Sequence, residues 1–503
     1  MHRIVSLVAV LLFASAAAMA ATPCDDLAKA KVPNTTITLA QTVLAGAFTP
    51  PAGARAGAPN PFASLPAFCR VQATLKPSSD SDIKMELWMP AAATWNRKLR
   101  GTGNGGLGGG AGVNVNSLAN GVRLGYATAG HNTGHEGDSS YALDHPEKIK
   151  DFGYRSTHEM TVASKALIKS YYDASLNYSV MAEGGGGTIA ALSSAQRYPE
   201  DYDVIAVTGM SSHLSRHTFA QMWTWYATHD DPRSLLSPKE LAILHRAALD
   251  QCDDKDGLKD GIIADPERCK VDIAALVSKY GLTTFQAEAA RKIYQGPINP
   301  RTKQEIYSPI YPGSELGWTQ LAGGEQPLGI PVEFFKYYVF KDPKWDYKTR
   351  RLNFEGDVAL ADRADISAVN AVNPDLRKFF ARGGKLLLVE GWSDAAVPPK
   401  VAINYYNAVV EKTGARQTRD SMRFFMVPGM GHGPGTTGEE NFNYDALAVI
   451  EQWKQTGKAP EELIFDHYKN GMQVGKRLVC QYPKAPTYKG SGDTADPASF
   501  VCK

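Results

Sequence analysis

Three separated stretches of this sequence carry residue types that hydrolases use for acyl transfer. Asp394 ends an apolar run, GKLLLVEGWSD, and His432 lies in a glycine-rich segment, PGMGHGPG. Earlier in the chain, four glycines from Gly184 to Gly187 interrupt YSVMAEGGGGTIAALSSAQRY. In acyl-transfer enzymes an aspartate orients a histidine, and the histidine acts on a nucleophile held at a sharp turn. The residue types therefore predict a catalytic aspartate and histidine acting at the glycine turn.

The residues around the glycine turn predict a strand, a turn and a helix. Residues 180–182 are apolar and predict a short buried strand, and 188–198 place Ile189, Leu192 and Ala195 on one helical face. This is the frame of a nucleophile elbow, G-x-S-x-G, in which small neighbours let a serine hydroxyl project from the sheet. The frame is present, but the serine is absent. The order turn, aspartate, histidine is that of α/β hydrolases, so we predict an α/β fold, a mostly parallel sheet with helices on both faces.

The rest of the pattern predicts a hydrolase core interrupted by a large insertion. Alternating apolar residues predict strands at 71–75 and 83–89, and helical spacing predicts a helix at 156–172. Further strands are predicted at 204–207 and 422–427. The Trp- and His-rich segment that follows the first of them interrupts the alternation of strands and helices. We therefore divide the chain into a leader at 1–20, a first core part at 21–208, a lid at 209–369 and a second core part at 370–503.

A dense run of glycines, GTGNGGLGGG, begins at Gly101. Backbone N–H groups in such a loop can approach a ligand closely, and α/β hydrolases draw one oxyanion donor from the loop at this place. We expect the N–H groups of Gly105 and Gly106, together with that of Gly186, to stabilise an oxyanion. A flexible surface loop is the alternative.

An acidic segment lies between two cysteines in the predicted lid, CDDKDGLKDGIIADPERC, at 252–269. Four carboxylates within eight residues repel one another unless a hard cation lies between them, and the interleaved glycines let the loop fold around it. The segment therefore predicts a calcium site. It is not an EF-hand, because the twelfth position is not glutamate. A solvated acidic turn closed by its cysteines is the alternative.

A second candidate for metal binding is the pair His131 and His135 in AGHNTGHEGD, which has i, i+4 spacing. The surrounding glycines disfavour a helix that would present both rings on one face, and no third ligand follows at a suitable spacing. We interpret this segment as a structural loop.

Composition and the first residues indicate an exported globular protein. Of 503 residues 43% are hydrophobic, and 54 basic and 52 acidic residues give a net charge of +2 without long runs, so nucleic-acid binding is not expected. His2 and Arg3 precede an apolar core at 4–13 and small residues ending at Ala20, the pattern of a secretory signal. The core is too short to span a bilayer. We expect cleavage, no membrane span in the mature chain and a secreted or periplasmic location; an uncleaved anchor is the alternative.

All six cysteines follow the expected cleavage point, and an even number in an exported chain predicts disulfides. Neighbouring pairs close the shortest loops, and free thiols are the alternative. The favoured pairs are Cys24 with Cys69, Cys252 with Cys269, and Cys480 with Cys502.

Taken together, these segments resemble the tannase and feruloyl esterase family of secreted serine esterases, which includes a hydrolase of mono-hydroxyethyl terephthalate. The likeness covers nearly the whole mature chain, through GTGNGG, DFGYRSTH, AQRYPEDYD, the acidic segment, GKLLLVEGWSDAAVPP and VPGMGH. The resemblance implies a carboxylic ester hydrolase with a large lid, with Asp394 and His432 as its Asp–His pair and small phenolic or aromatic esters as substrates. It also implies a structural calcium ion held by Asp253, Asp256, Asp260 and the carbonyls of Leu258 and Ile262, with Asp254 outside the set.

The chain departs from the family pattern at the elbow. The family reads G-C-S-x-G-G, which places its cysteine at Gly184 and its nucleophilic serine at Gly185. The family also has a cysteine directly after the catalytic histidine, bridged to the elbow cysteine, and here that position is Gly433. Both halves of that disulfide are therefore absent together.

Without a serine hydroxyl, three interpretations stay open. Thr188 lies in a weak G-x-T-x-A pattern, although its use requires a helix that starts later than the family spacing allows. Alternatively His432, oriented by Asp394, activates water directly, with assistance from Glu183. In the third interpretation hydrolysis is weak or lost, and the protein is a non-catalytic binder of aromatic ligands on the same fold. The sequence indicates neither the ester nor the oligomeric state.

Overall fold

The computed structural model describes residues 22–50, 60–103, 107, 112–365, 367–433 and 440–503. The predicted leader at 1–20 lies outside this part of the chain. Among the described residues, no helix combines the length and the apolar character needed to cross a membrane.

A nine-stranded sheet forms the centre of the fold, in the order β1-β2-β3-β5-β4-β6-β7-β8-β9. The first strands pair antiparallel as far as β3 with β5, and every pairing from β5 to β9 is parallel. Two small antiparallel sheets, β10-β11-β12 and β13-β14, follow. The strands are β1 Thr35–Val43, β2 Phe68–Leu75, β3 Ile83–Pro90, β4 Lys98–Thr102, β5 Ala127–His131, β6 Tyr178–Gly184, β7 Val204–Thr208, β8 Lys385–Gly391, β9 Met422–Val427, β10 Glu440–Asn443, β11 Glu462–Lys469, β12 Met472–Cys480, β13 Pro486–Tyr488 and β14 Phe500–Cys502.

Helices cover both faces of this sheet. Successive residues of a strand point to opposite faces, so Val180 of β6 belongs to the same apolar cluster as Leu447 and Ile450, whereas Met181 belongs to that of Ile189. The α/β-hydrolase fold predicted from the sequence is therefore confirmed. The helices are α1 Val115–Arg123, α2 Pro146–Lys150, α3 Ser156–Tyr172, α4 Gly187–Arg197, α5 Leu214–His229, α6 Pro238–Cys252, α7 Ile273–Ser278, α8 Thr284–Gln295, α9 Thr319–Ala322, α10 Gly329–Glu333, α11 Gly356–Ala364, α12 Arg377–Ala381, α13 Lys400–Thr413, α14 Ala415–Ser421 and α15 Ala446–Thr456.

The segment between β7 and β8 contains α5 to α12 and contributes no strand to the central sheet among the described residues. Much of it packs around its own apolar cluster, which includes Leu244, Leu276, Ile293 and Trp318. Its helices begin at local signals: Ser237 caps α6 in a capping box with Glu240. The predicted insertion at 209–369 thus corresponds to a helical layer, and its role as a lid stays a prediction.

Three disulfides tie the ends of the chain and the acidic segment to the fold. They join the pairs favoured by short loop closure, Cys24–Cys69, Cys252–Cys269 and Cys480–Cys502. Among the described residues no cysteine is free.

Candidate active site

The glycine turn is a sharp corner between β6 and α4. Gly185 has φ +53°, in the left-handed region that favours glycine, and its N–H donates to the carbonyl of Thr208 at 3.1 Å. α4 begins at Gly187, directly after the corner. The four glycines therefore form the strand–turn–helix frame of an elbow, and Gly185 occupies its tip.

Asp394 and His432 form a hydrogen-bonded pair beside this corner. His432 Nδ1 lies 2.7 Å from Asp394 Oδ2, and Asp394 Oδ1 accepts the N–H of Val397 at 2.8 Å. The Asp394 side chain is fully buried, whereas 28% of the His432 side chain is exposed. The negative charge of Asp394 raises the pKa of His432, and burial opposes this shift only in part. The pair can orient an imidazole and stabilise its protonated form.

The second ring nitrogen of His432, Nε2, faces the elbow. A Cβ atom built on Gly185 would lie 3.0 Å from His432 Nε2. On the other side of the ring, a Cβ on Gly209, at φ +64°, would lie 3.2 Å from its Nδ1 and Cε1. The structure thus brings the glycine corner, Asp394 and His432 to one place. The role of Gly209 was missed, because a lone glycine after a strand carries no signal that an imidazole packs against it.

Thr188 is not presented to His432 as a nucleophile. Its side chain is buried, and its hydroxyl donates to the carbonyl of Gly185 at 2.6 Å while accepting the N–H of Ser211 at 3.0 Å. The hydroxyl therefore holds the corner in shape. The start of α4 at Gly187 also leaves Thr188 inside the first helical turn.

Glu183 places a carboxyl group between the glycine loop and α4. Its Oε1 accepts the N–H of Gly103 at 2.9 Å, and its Oε2 lies 2.5 Å from the position of a Cβ on Gly187. Burial raises the pKa of Glu183 to about 7, although the N–H of Gly103 and the charge of Arg100 oppose the shift. Glu183 therefore changes its charge near neutral pH, next to the elbow.

A second carboxyl group, Glu390 of β8, lies behind Asp394 and was missed in the sequence. It is fully buried, and it accepts the N–H groups of Met210 at 2.9 Å and of Gly391 at 3.1 Å. Burial and the charge of Asp394 raise the pKa of Glu390 well above its usual value. An acid inside the apolar run of GKLLLVEGWSD was the available signal, since charged residues are rarely buried without a partner.

One of the three predicted oxyanion donors, Gly186, lies among the described residues, and its role stays a prediction. Gly186 follows the corner and immediately precedes α4, where the helix dipole favours negative charge. Gly105 and Gly106 lie outside the described residues, so their role stays a prediction.

The acidic segment folds into a compact loop after α6. Asp253 is buried and accepts the N–H groups of Asp260 and Gly261, and Asp260 forms an ion pair with Arg477 of β12. Burial raises the pKa of Asp253 and of Asp256, and the charge of Asp260 adds to both shifts. A cavity of about 30 Å³ is lined by Asp256, Leu258, Asp260 and Ile262 among others.

These contacts fit a hard cation in the kind of ligand that they offer, oxygen atoms under mutual repulsion. Within the described residues, however, no three carboxylate, imidazole or thiolate groups converge as a metal cluster. The charge of Arg477 already neutralises part of the site. Calcium therefore stays a prediction.

The histidines of the 131–135 loop have structural contacts. His131 is buried, with Nε2 2.9 Å from the hydroxyl of Thr157 and Nδ1 accepting the N–H of Thr133 at 3.0 Å. His135 stacks on Tyr141 with ring centres 3.7 Å apart. Both rings are thus used in packing, in agreement with the interpretation as a structural loop.

Comparison with known proteins adds a family context to this geometry. A family model described as "Tannase and feruloyl esterase" matches residues 69–503. An uncharacterized esterase of Xanthomonas campestris is 35% identical, with 96% of this chain and 92% of that protein covered. A probable feruloyl esterase B-2 of Aspergillus fumigatus is 31% identical over 86% of each chain. The crystal structure of feruloyl esterase B from Aspergillus oryzae superposes with a TM-score of 0.85 at 27% identity, covering 95% of this chain and 99% of that one.

Proposed function

The chain belongs to the tannase and feruloyl esterase family, and from this membership we propose that it hydrolyses esters of phenolic or other aromatic acids, with His432 activating water directly. The observation that carries the proposal is the placement of His432 Nε2 at the tip of the elbow while Asp394 binds Nδ1. Gly185 presents no hydroxyl there. Water is then the nucleophile that this nitrogen can reach.

The proposed reaction has two proton transfers through one imidazole. His432 Nε2 takes a proton from water as the water oxygen bonds to the ester carbonyl carbon, and Asp394 stabilises the imidazolium. The N–H of Gly186, at the positive end of α4, and the glycine loop stabilise the oxyanion. His432 then gives its proton to the departing alkoxide as the ester C–O bond breaks, which releases an acid and an alcohol. No acyl-enzyme forms, so turnover is slow by the standard of the family.

We propose the substrate class from the names of the relatives and the location from the disulfides. Relatives carry the name feruloyl esterase. This name supports an ester with an aromatic acyl group as the substrate of this chain. Three disulfides support an oxidising compartment, and we propose that the protein is secreted or periplasmic.

A second candidate function is the binding of an aromatic ligand without chemistry. The observation that favours it is that neither described candidate offers a reactive hydroxyl at the corner: Gly185 has none, and that of Thr188 is bonded to the backbone. In this case the site at the corner serves recognition only.

Hydrolysis of methyl ferulate by the purified protein separates the two functions. The control substrate is methyl 3-cyclohexylpropanoate, which has a saturated ring. Turnover of the ferulate above the buffer rate, and in preference to the control, supports the esterase. Saturable binding of ferulate with no turnover supports the binder.

Glu183 gives a stability prediction that does not depend on activity. Its folded pKa is raised to about 7, so the folded state binds a proton that the unfolded state has released, and stability falls as pH rises from the unfolded value toward and past 7. We expect Glu183→Gln to raise Tm by roughly 2 °C at pH 8 and to change it little at pH 4. Calorimetry at both pH values measures this, with the exposed Glu136→Gln as control. An equal effect of Glu183→Gln at both pH values would contradict the prediction.

We also propose that the acidic segment binds a structural calcium ion. A cation that binds only the folded state stabilises it, by about 2.7 kcal/mol at a hundredfold excess over Kd. Chelation is therefore expected to lower Tm by several degrees, and added calcium to restore it. Asp256→Asn should abolish this sensitivity, whereas Asp254→Asn, at an exposed carboxylate outside the proposed set, should keep it. An unchanged midpoint after exhaustive chelation of the wild type would count against the site.

A further inference from the structure

The acid of the Asp–His pair is one of two buried carboxyl groups. Asp394 and Glu390 are both 0% exposed. They meet at two consecutive residues: a Cβ on Gly209 would lie 3.8 Å from Asp394 Oδ2, and the N–H of Met210 donates to Glu390 Oε2 at 2.9 Å. The two carboxyl groups therefore act on each other electrostatically. Two neighbouring carboxylates in a site closed to bulk water cannot both be ionised without a large cost, because burial weakens the screening of their repulsion. The pair therefore needs either a counter-charge or a proton.

The groups that face this pair supply too little positive charge for two anions. His432 is bonded to Asp394. His217 of α5 lies near Asp394, but burial lowers its pKa to about 4, so it is neutral at ordinary pH; its Nε2 lies 2.6 Å from the carbonyl of Ala396. The hydroxyl of Tyr307 is buried and uncharged, and burial together with Glu390 and Asp394 raises its pKa. Among the described residues, no lysine or arginine is one of the groups that act most strongly on Glu390. One imidazole can offset one carboxylate, so the second must keep a proton.

The hydrogen bonds decide which carboxyl group is ionised. Asp394 accepts two short bonds, from His432 Nδ1 at 2.7 Å and from the N–H of Val397 at 2.8 Å. Glu390 accepts longer ones, at 2.9 Å from Met210 and at 3.1 Å from its chain neighbour Gly391. Donors that bond a carboxylate favour its charged form, and a donor that becomes cationic favours it most. The negative charge therefore resides on Asp394.

We propose that Glu390 is protonated in the folded protein and donates a hydrogen bond to Asp394, which makes it a positioning residue for the Asp–His pair. Glu390 thereby fixes the orientation of Asp394 and, through it, the ring of His432. It also leaves Asp394 as the single charge acting on that ring. The proposal deepens the proposed function, because it assigns a role to Glu390 in the same site. Its test does not need turnover, since it concerns a proton that is bound whether or not esters are hydrolysed.

The test compares two variants by NMR titration of the His432 ring in the full-length protein. An amide, like a protonated carboxyl group, is uncharged and carries both an acceptor oxygen and a hydrogen-bond donor, so Glu390→Gln should leave the pKa of His432 within about 0.3 unit of the wild type. Glu390→Met removes the donor. We expect it to weaken the Asp394–His432 hydrogen bond, which is read as an upfield shift or loss of the low-field Nδ1 proton signal. Glu305→Gln, at an exposed carboxyl group, is the control and should change neither readout.

A marked fall of the His432 pKa in Glu390→Gln would overturn the proposal, because it would show that the wild-type Glu390 carries a negative charge. So would an unchanged Nδ1 signal in Glu390→Met. If Glu390→Met does not fold, the decision rests on Glu390→Gln and on infrared detection of the protonated carboxyl band near neutral pH, which must disappear in that variant. Each of these measurements can be made even if the protein hydrolyses no ester. The proposal for Glu390 and the proposed esterase activity can therefore be refuted independently.

Discussion

Serine in place of Gly185 is expected to raise ester turnover by at least about 10³-fold, since loss of a triad nucleophile costs about 10⁶-fold. A Cβ at this position lies 3.0 Å from His432 Nε2, so a hydroxyl carried by it reaches the ring that must deprotonate it. The corner already has the left-handed φ of +53°. Serine therefore needs no new backbone conformation, although it bears a strain of about 1–3 kcal/mol that glycine avoids.

The contact at 3.0 Å also sets the limit of this gain. It is closer than an ordinary van der Waals contact, so the imidazole must move by a few tenths of an ångström, and 28% exposure of its side chain gives it room. The gain is thus expected to fall short of the full effect of a nucleophile. We expect Gly185→Ser to react with a fluorophosphonate probe that does not label the wild type, which tests the serine without choosing a substrate.

Two further variants separate a working triad from an added hydroxyl. Gly186→Ser places a serine one residue beyond the corner, at φ −58°, and should gain neither turnover nor labelling. Gly185→Ser combined with His432→Ala should lose both gains. A folded Gly185→Ser protein that shows no turnover and no labelling would mean that the corner, Asp394 and His432 do not form a productive site.

Removal of the imidazole is the second large effect. If His432 activates water, His432→Ala should lower wild-type turnover of methyl ferulate by at least about 10²-fold, toward the buffer rate, since a positioned general base contributes 10²–10⁴-fold. The matched control is His158→Ala. His158 Nδ1 lies 2.9 Å from Asp201 Oδ2, which makes another Asp–His pair, between α3 and the loop that joins α4 to β7. Turnover that is equal in the wild type and in His432→Ala would assign hydrolysis to another group.

The pH dependence of turnover tests whether His432 acts as a base or as an acid. A general base must be neutral, and Asp394 raises the pKa of His432, so turnover should increase with pH through a midpoint above the usual value for histidine. Asp394→Asn removes the charge that raises this pKa and should shift the midpoint to lower pH while lowering the plateau. A profile that falls as pH rises through this range would indicate an acid in place of a base.

Local sequence patterns determined the frame of this protein. Apolar periodicity placed the helix at 156–172 and the strand at 422–427 at their observed bounds, because a side-chain period of 3.6 or 2 depends only on near neighbours. The predicted strands at 71–75, 83–89 and 204–207 were each one to three residues too short, because strand ends depend on pairing. β1 and the C-terminal strands β10 to β14 were not predicted. In β11 burial alternates along the strand, but the exposed Ile464 lies between the buried Leu463 and Phe465 and hides this alternation in the sequence.

Part of the candidate site was likewise predictable from the sequence, and part was decided only by tertiary packing. Residue types and chain order alone identified the glycine corner, Asp394 and His432, because acyl transfer uses few residue types in few orders. Only tertiary packing decided that Thr188 is bonded to the backbone, that Glu183 titrates near pH 7 and that Glu390 lies behind Asp394. The state of a hydroxyl or a carboxyl group is set by which groups, tens to hundreds of residues away, surround it and by how far they exclude water. Those neighbours are fixed by the packing of the sheet and its helices, and a linear sequence does not state them.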